Sequence, residues 1–169
     1  GTALETTERV TAACALKESE EHLRLAVEAA QIGNFDWEIV PDRITWSRWH
    51  EKLWGFKPGE FGGNYASFAS RLHPDDLEKV NVEVTRCIRD RCPFSHEFRV
   101  VWPDGGVHWL SALGEFAFDS KGMVTRMCGA VMDITRRRNA ESAMIESEER
   151  LRLALSGAKQ GLYDLNVHT

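Results

Sequence analysis

The segment from Phe94 to Thr135 constrains the fold of this chain more than any other stretch. Runs rich in β-branched and aromatic residues occupy positions 94–102, 107–118 and 124–134. They are separated by the tetrapeptides PDGG and DSKG, whose glycines adopt positive φ at little cost and are typical of tight turns. Parallel strands need crossovers of about a dozen residues or more, so these short links predict an antiparallel three-stranded meander.

A second pair of strands is predicted upstream. Phe35, Trp37 and Ile39 alternate with polar residues over positions 33–40, which is the pattern of a strand buried on one face. Pro41-Asp42 has turn chemistry, and residues 43–47 begin a second strand with Ile44 and Trp46 on one face. These two segments predict a β-hairpin.

The stretch between the two groups of strands is predicted to be helical. Ser47 can cap a short helix that runs to Trp54, and residues 64–72 favour another. His73-Pro74-Asp75-Asp76 starts the longest helix, which ends near Arg91, because proline is tolerated and carboxylates are favourable in a first turn. The apolar stripe of this helix consists of Leu77, Val80, Val84, Cys87 and Ile88. Helix capping accounts for His73 and its acidic neighbours without a catalytic role.

These elements predict an α+β fold with a five-stranded antiparallel sheet, short helices on one face, and a long helix at each end. The chain carries five motifs in this order: Gly33-Asn34-Phe35-Asp36-Trp37-Glu38, Leu72-His73-Pro74-Asp75-Asp76-Leu77, Glu97-Phe98-Arg99, Pro103-Asp104-Gly105, and Asp133-Ile134-Thr135. Together they resemble a PAS domain with its PAC motif, over about residues 19–135. The resemblance implies a sensory module that places ligands between the helices and the sheet.

An internal repeat indicates a tandem array. Residues 147–154 match residues 19–26 at an offset of 128, and the same offset aligns Gly33 with Gly161 and Asp36 with Asp164. We therefore expect a linker helix at 1–18, the complete module at 19–135, a connecting helix at 136–158, and at 159–169 the start of a second copy, with its first strand at 161–167.

Composition narrows the class of protein. With 21 basic and 26 acidic residues the net charge is −5, which argues against nucleic acid as a partner. No apolar run reaches the roughly 18 residues of a membrane span, and we expect a cytoplasmic location with no membrane contact in this segment. The spacing of Cys14, Cys87, Cys92 and Cys128 fits free thiols rather than a metal site.

Common motifs of catalytic sites are absent from the sequence. The chain contains no GxSxG, P-loop, HExxH or GxGxxG motif. Flavin-binding photosensors of the PAS family carry Asn-Cys-Arg-Phe on the helix before the long one, and no cysteine stands there, so a flavin adduct is excluded. The sequence does not identify a cofactor. The possibilities that remain are haem, bound through His73 or Cys87, and a non-covalently bound flavin.

Three groups of residues are candidates for function. The pocket candidates are Asn34, Trp37, Trp46, Trp54, Phe68, Cys87, Glu97, Trp109, Cys128 and Ala130. Asp133, Ile134 and Thr135 are predicted to pass a signal from the last strand to the following helix. Leu16, Leu23 and Val27 form a narrow apolar seam that predicts a homodimer helix.

The resemblance implies a parent protein that is either a histidine kinase or a diguanylate cyclase or phosphodiesterase. In that setting the partners are neighbouring PAS modules and a C-terminal output domain. The alternative, kept open by the sequence, is a module that binds no small ligand and serves only dimerisation and signal relay.

Overall fold

The computed structural model describes residues 1–166, which form five helices and five strands. The helices are α1 (Thr2–Ala29), α2 (Arg48–Leu53), α3 (Tyr65–Ala69), α4 (Pro74–Asp90) and α5 (Thr135–Asn166). The strands are β1 (Gly33–Glu38), β2 (Arg43–Trp46), β3 (Phe94–Val101), β4 (Val107–Phe118) and β5 (Val124–Asp133). The predicted α+β class, the hairpin and the meander are confirmed.

All five strands belong to one antiparallel sheet, in the order β2-β1-β5-β4-β3. The strand last in sequence therefore lies at the centre, between the N-terminal hairpin and the rest of the meander. In the central pairing Gly33 is opposite Val131, and Phe35 is opposite Gly129. This arrangement joins the two groups of strands that the sequence predicted separately.

The short helices begin and end where local chemistry places them. The side chains of Ser47 and Asn64 cap α2 and α3 by accepting a hydrogen bond from the backbone N–H three residues later. The ring of His73 caps α4 by accepting a hydrogen bond from the Asp75 N–H. Arg91 adopts the left-handed conformation, with φ of 52°, and ends α4. The capping role predicted for His73 is confirmed.

One face of the sheet and helices α2, α3 and α4 enclose the hydrophobic core. The core residues with the least exposure are Trp54, Val80, Cys87, Phe98, Val100, Leu110 and Val131, each 1% exposed or less. Helix α1 buries none of its residues. The seam residues Leu16 and Leu23 are 61% and 66% exposed, so the dimer predicted from them stays a prediction.

Helix α5 forms a unit of its own and is longer than expected. The connecting helix was predicted to stop at 158, yet residues 159–166 remain helical, so the strand expected to start at Gly161 is not formed there. A single strand without neighbours leaves its backbone groups unpaired, whereas a helix satisfies them internally. Val167, the last residue of the expected strand, lies outside the described residues.

Candidate ligand-binding site

A cavity lies between the sheet and helices α2, α3 and α4. Its lining carries no charged side chain and consists of Phe35, Trp37, Ile44, Trp46, His50, Trp54, Tyr65, Phe68, Val80, Val84, Phe94, Phe98, Ala112, Met127 and Val131. Counted as the space open to the centre of a water-sized sphere, its volume is about 60 Å³. Sites for drug-sized ligands span roughly 300–1,000 Å³. A haem or a flavin therefore does not fit unless the walls move.

The sheet forms the floor of the cavity, and small residues shape it. Gly114 and Gly129 are opposite one another in β4 and β5, and the ring of Phe35 lies over both. A Cβ atom added to Gly129 would collide with the Leu113 carbonyl oxygen and come within 2.8 Å of the Phe35 ring. Only glycine at this position lets Phe35 pack against the floor.

Three rings in van der Waals contact form one wall. The ring centroids of Trp46 and His50 are 4.2 Å apart, those of His50 and Trp54 are 4.7 Å apart, and those of Trp46 and Trp54 are 5.0 Å apart. Phe61 stacks on Trp46 at 3.5 Å, with the two rings nearly parallel. The contact between His50 and Trp54 follows from helix geometry, because the two residues are one turn apart.

His50 is the one ionisable imidazole in this lining, and it is 2% exposed. Burial lowers the pKa of His50 to about 3, since the charged form loses its water. The Asn34 backbone acts in the opposite direction, at a geometry outside the limits of a hydrogen bond. His50 is therefore neutral at physiological pH, and the wall carries no charge.

A second wall is fixed by polar contacts at its outer edge. The indole N–H of Trp37 and the backbone N–H of Tyr65 both donate to Asp42 Oδ1, each at 3.1 Å. The rings of Trp37 and Tyr65 stack with centroids 5.5 Å apart, and the Tyr65 hydroxyl donates to the side-chain oxygen of Asn81. These contacts tie the β1–β2 turn, α3 and α4 together around the cavity.

Four of the predicted pocket residues line the cavity, namely Trp37, Trp46, Trp54 and Phe68. Asn34, Glu97, Trp109, Cys128 and Ala130 do not. Successive side chains of a strand point to opposite faces, and each of these five is adjacent in sequence to a residue whose side chain faces the core. Their assignment to the pocket was wrong by one strand position.

Cys87 was also predicted to lie in the pocket, and the structure corrects this too. It is fully buried in the core at the end of α4, but it does not line the cavity. Burial is the main cause that raises the pKa of its thiol to about 11, so it stays protonated. Packing in the hydrophobic core is therefore sufficient to explain a cysteine at position 87. His73, the other candidate for haem, does not line the cavity either.

Sequence reasoning missed His50 as a site residue. It lies in the short helix predicted to run to Trp54, and Trp46, His50 and Trp54 recur at intervals of four. That spacing puts the last two on one helical face, directly after a strand residue that points inward. This four-residue spacing could have indicated that Trp46, His50 and Trp54 line the same wall of the cavity.

The predicted relay segment lies where β5 gives way to α5. Asp133 is the last residue of the strand, Thr135 is the first of the helix, and Ile134 belongs to neither. Ile134 was expected to remain in the sheet, and this detail was wrong. The Asp133 carboxylate lies 3.8 Å from Nδ1 of His108, whose ring stacks on Trp102 at 4.0 Å.

Comparison with known proteins identifies the family. The family model described as PAS fold matches residues 43–131, more than half of the chain, and the chain belongs to this family. A sensory box histidine kinase/response regulator from Burkholderia thailandensis has a similar structure, with a TM-score of 0.68 and 29% identity over 77% of this chain and 97% of that one.

Two curated relatives are sensory or signalling proteins. The probable diguanylate cyclase DgcE of Escherichia coli is 28% identical over 87% of this chain, and the sensor protein FixL of Bradyrhizobium diazoefficiens is 26% identical over 88%. The chain spans 13% of the length of the first and 29% of the second. These similarities support a signal-transduction sensor module, as the sequence predicted.

Residues 1–166 contain neither a candidate metal centre nor a helix that could span a membrane. In that part of the chain, no cluster of three or more His, Cys, Asp or Glu side chains is arranged to hold a metal ion. Over the same residues, no helix combines the length and the hydrophobicity that crossing a membrane requires.

Proposed function

We propose that this module senses a small ligand in the cavity and passes its state through β5 to α5. The observation that carries the proposal is the double role of β5. Met127 and Val131 of this strand line the cavity, and only Met132 lies between Val131 and the end of the strand at Asp133. A ligand that displaces this wall therefore acts on the strand that leads into the helix.

A second line of contacts supports the same direction of transfer. Trp54 lines the cavity, and the carbonyl of its neighbour Leu53 accepts a hydrogen bond of 3.1 Å from the Trp102 indole N–H. Trp102 stacks on His108, which lies beside Asp133. A shift of the α2 wall can thus reach the relay segment through side chains in contact, in addition to the route through β5.

The parent protein, in this proposal, is a cytoplasmic histidine kinase or a diguanylate cyclase or phosphodiesterase with a C-terminal output domain. The names of the relatives support this class. Neighbouring PAS modules are part of the same proposal, which rests on the repeat between residues 19–26 and 147–154.

The alternative is a module that binds no ligand and only dimerises and relays. The exposed seam of α1 favours it, because Leu16 and Leu23 have no covering partner among residues 1–166. The two functions differ in whether the cavity controls α5.

Replacing one of two alanines by leucine distinguishes the ligand-sensing module from the ligand-free module. Ala112 lines the cavity, and Ala130 lies on the opposite face of the sheet. Ala112→Leu fills part of the cavity, whereas Ala130→Leu adds the same atoms outside it. We expect only the first to change amide hydrogen exchange in the first turns of α5.

The same comparison can contradict the proposal. Unchanged exchange in α5 with Ala112→Leu, in a variant whose domain remains folded, would favour the ligand-free module. Val84→Leu, which enlarges a lining residue of α4, is a second variant in case Ala112→Leu disturbs the sheet.

A further inference from the structure

His50 and Trp54 carry buried ring nitrogens that form no hydrogen bond within residues 1–166. The residues are 2% and 1% exposed, and both ring nitrogens of His50 and the indole nitrogen of Trp54 lack a hydrogen-bond partner among residues 1–166. Nearly all buried polar groups in native proteins are paired, and leaving one unpaired is costly. Three such atoms on two adjacent rings, both lining one cavity, point to a partner that enters it.

We propose that the cavity binds a small uncharged molecule with an apolar body and one hydroxyl group, and that His50 and Trp54 recognise that hydroxyl. This inference rests on the proposed ligand-sensing function and names its ligand class. The fifteen lining residues include no Lys, Arg, Asp or Glu, so an ionised ligand would lose its water without gaining a counter-ion.

The hydrogen-bonding groups of the two residues are complementary to a hydroxyl. A neutral imidazole offers one donor and one acceptor, and an indole offers a donor only. A hydroxyl donates one hydrogen bond and accepts others, so it can donate to His50 and accept from Trp54 at once. The nitrogens are shielded in the ligand-free chain, so binding of the hydroxyl requires the rings of His50 and Trp54 to turn about their soft Cβ–Cγ torsions.

The apolar body of the ligand is matched by aromatic rings. Phe35, Phe68 and Phe98 line the same cavity as the two polar rings. Flat rings favour offset-stacked or edge-on contacts with other flat rings. A small phenol therefore fits both the apolar and the polar features of the site.

The test compares three probes of similar shape on the full chain: phenol, toluene and benzoate. Binding is measured by NMR titration of the lining methyl and aromatic signals. We expect phenol to bind about ten times more tightly than toluene, which corresponds to about one good hydrogen bond. Benzoate should not bind. We expect His50→Phe and Trp54→Phe each to narrow the difference between phenol and toluene, and the double variant to bind the two probes equally.

Trp49→Phe is the matched control, since Trp49 belongs to α2 but does not line the cavity. It should keep the preference for phenol. Equal binding of phenol and toluene to the unmodified chain would overturn this inference and leave a ligand-binding cavity in place. Binding of neither probe would overturn the inference, and the Ala112→Leu experiment then decides independently whether the proposed function survives.

Discussion

Asp76, in the first turn of α4, accepts three hydrogen bonds from Arg99 of β3. The backbone N–H, Nε and Nη2 of Arg99 lie 3.0, 2.8 and 2.7 Å from its carboxylate oxygens. The Asp76 side chain is 7% exposed and that of Arg99 is 24% exposed. This pair fixes the start of the longest helix of the domain to the edge strand of the sheet.

We expect Asp76→Ala to lower the free energy of unfolding by about 2–3 kcal/mol, because it removes charged hydrogen bonds and leaves the Arg99 backbone N–H unpaired. Chemical denaturation at pH 7 measures this. Asp75→Ala is the matched control, since the Asp75 side chain is 69% exposed, and it should cost less than about 1 kcal/mol. Equal costs for the two variants would show that the pair does not anchor α4.

The stability of the domain should fall in mild acid because of His50. Burial lowers its pKa in the folded state to about 3, whereas the unfolded value is about 6.5. The unfolded chain therefore binds the proton first, and stability present above pH 6.5 is lost by about 1.4 kcal/mol per pH unit as the pH falls toward 3. Unfolding curves measured between pH 7.5 and 4.5 test this.

His50→Phe supplies the control for that pH dependence. The variant lacks the titrating group, so its stability should change less over the same range. The pKa of Asp76 is also held low, mainly by hydrogen bonds from Arg99, but its contribution is lost only below about pH 4, outside the measured range. Parallel curves for the variant and the unmodified chain would contradict the assignment to His50.

Gly129→Ala should destabilise the domain by about 2 kcal/mol or more, because the added methyl group collides with the β4 backbone and with Phe35. Thermal unfolding measures the loss. Gly157→Ala provides a comparison of the same chemical change in α5, where nothing lies within 4 Å of the new atom. That variant should leave the domain's transition unchanged, and an equal loss in both would refute the steric explanation.

The seam on α1 should produce a dimer that charge disrupts. We expect the combined variant Leu16→Glu and Leu23→Glu to be monomeric by light scattering at concentrations where the unmodified chain is dimeric. Leu25→Glu is the control, since residues 23 and 25 lie on nearly opposite sides of a helix. A monomer at high concentration before any substitution would contradict this prediction.

The strands could be predicted because side-chain alternation and turn residues agreed. Phe35 and Trp37 marked one face of β1, and the glycine turns limited β4 at both ends. The sequence did not show which side chains of β5 face the core, because both faces of this strand carry apolar residues, namely Met127, Cys128, Ala130, Val131 and Met132. Without alternation, a shift of one residue exchanges the two faces, and the pocket candidates Cys128 and Ala130 were misplaced for this reason.

The burial of His50 and the helical end of α5 were not predicted from the sequence, for different physical reasons. Histidine is intermediate between the buried and the exposed residue types, and the nearly complete burial of His50 depends on packing against Trp46 and Trp54. At residues 159–166, local similarity to β1 favoured a strand, but a strand also needs neighbours with which to pair.

The pairing of Gly33 with Val131 means that the chain enters and leaves the sheet at neighbouring points of two adjacent strands. A domain whose two ends lie side by side in this way can be moved as one unit between proteins. It can be copied, excised or spliced into a host polypeptide without separating the host's own ends, since the gap to be bridged is about the distance between two paired strands. Insertion of such a domain into a surface loop can therefore leave the packing of the host protein in place.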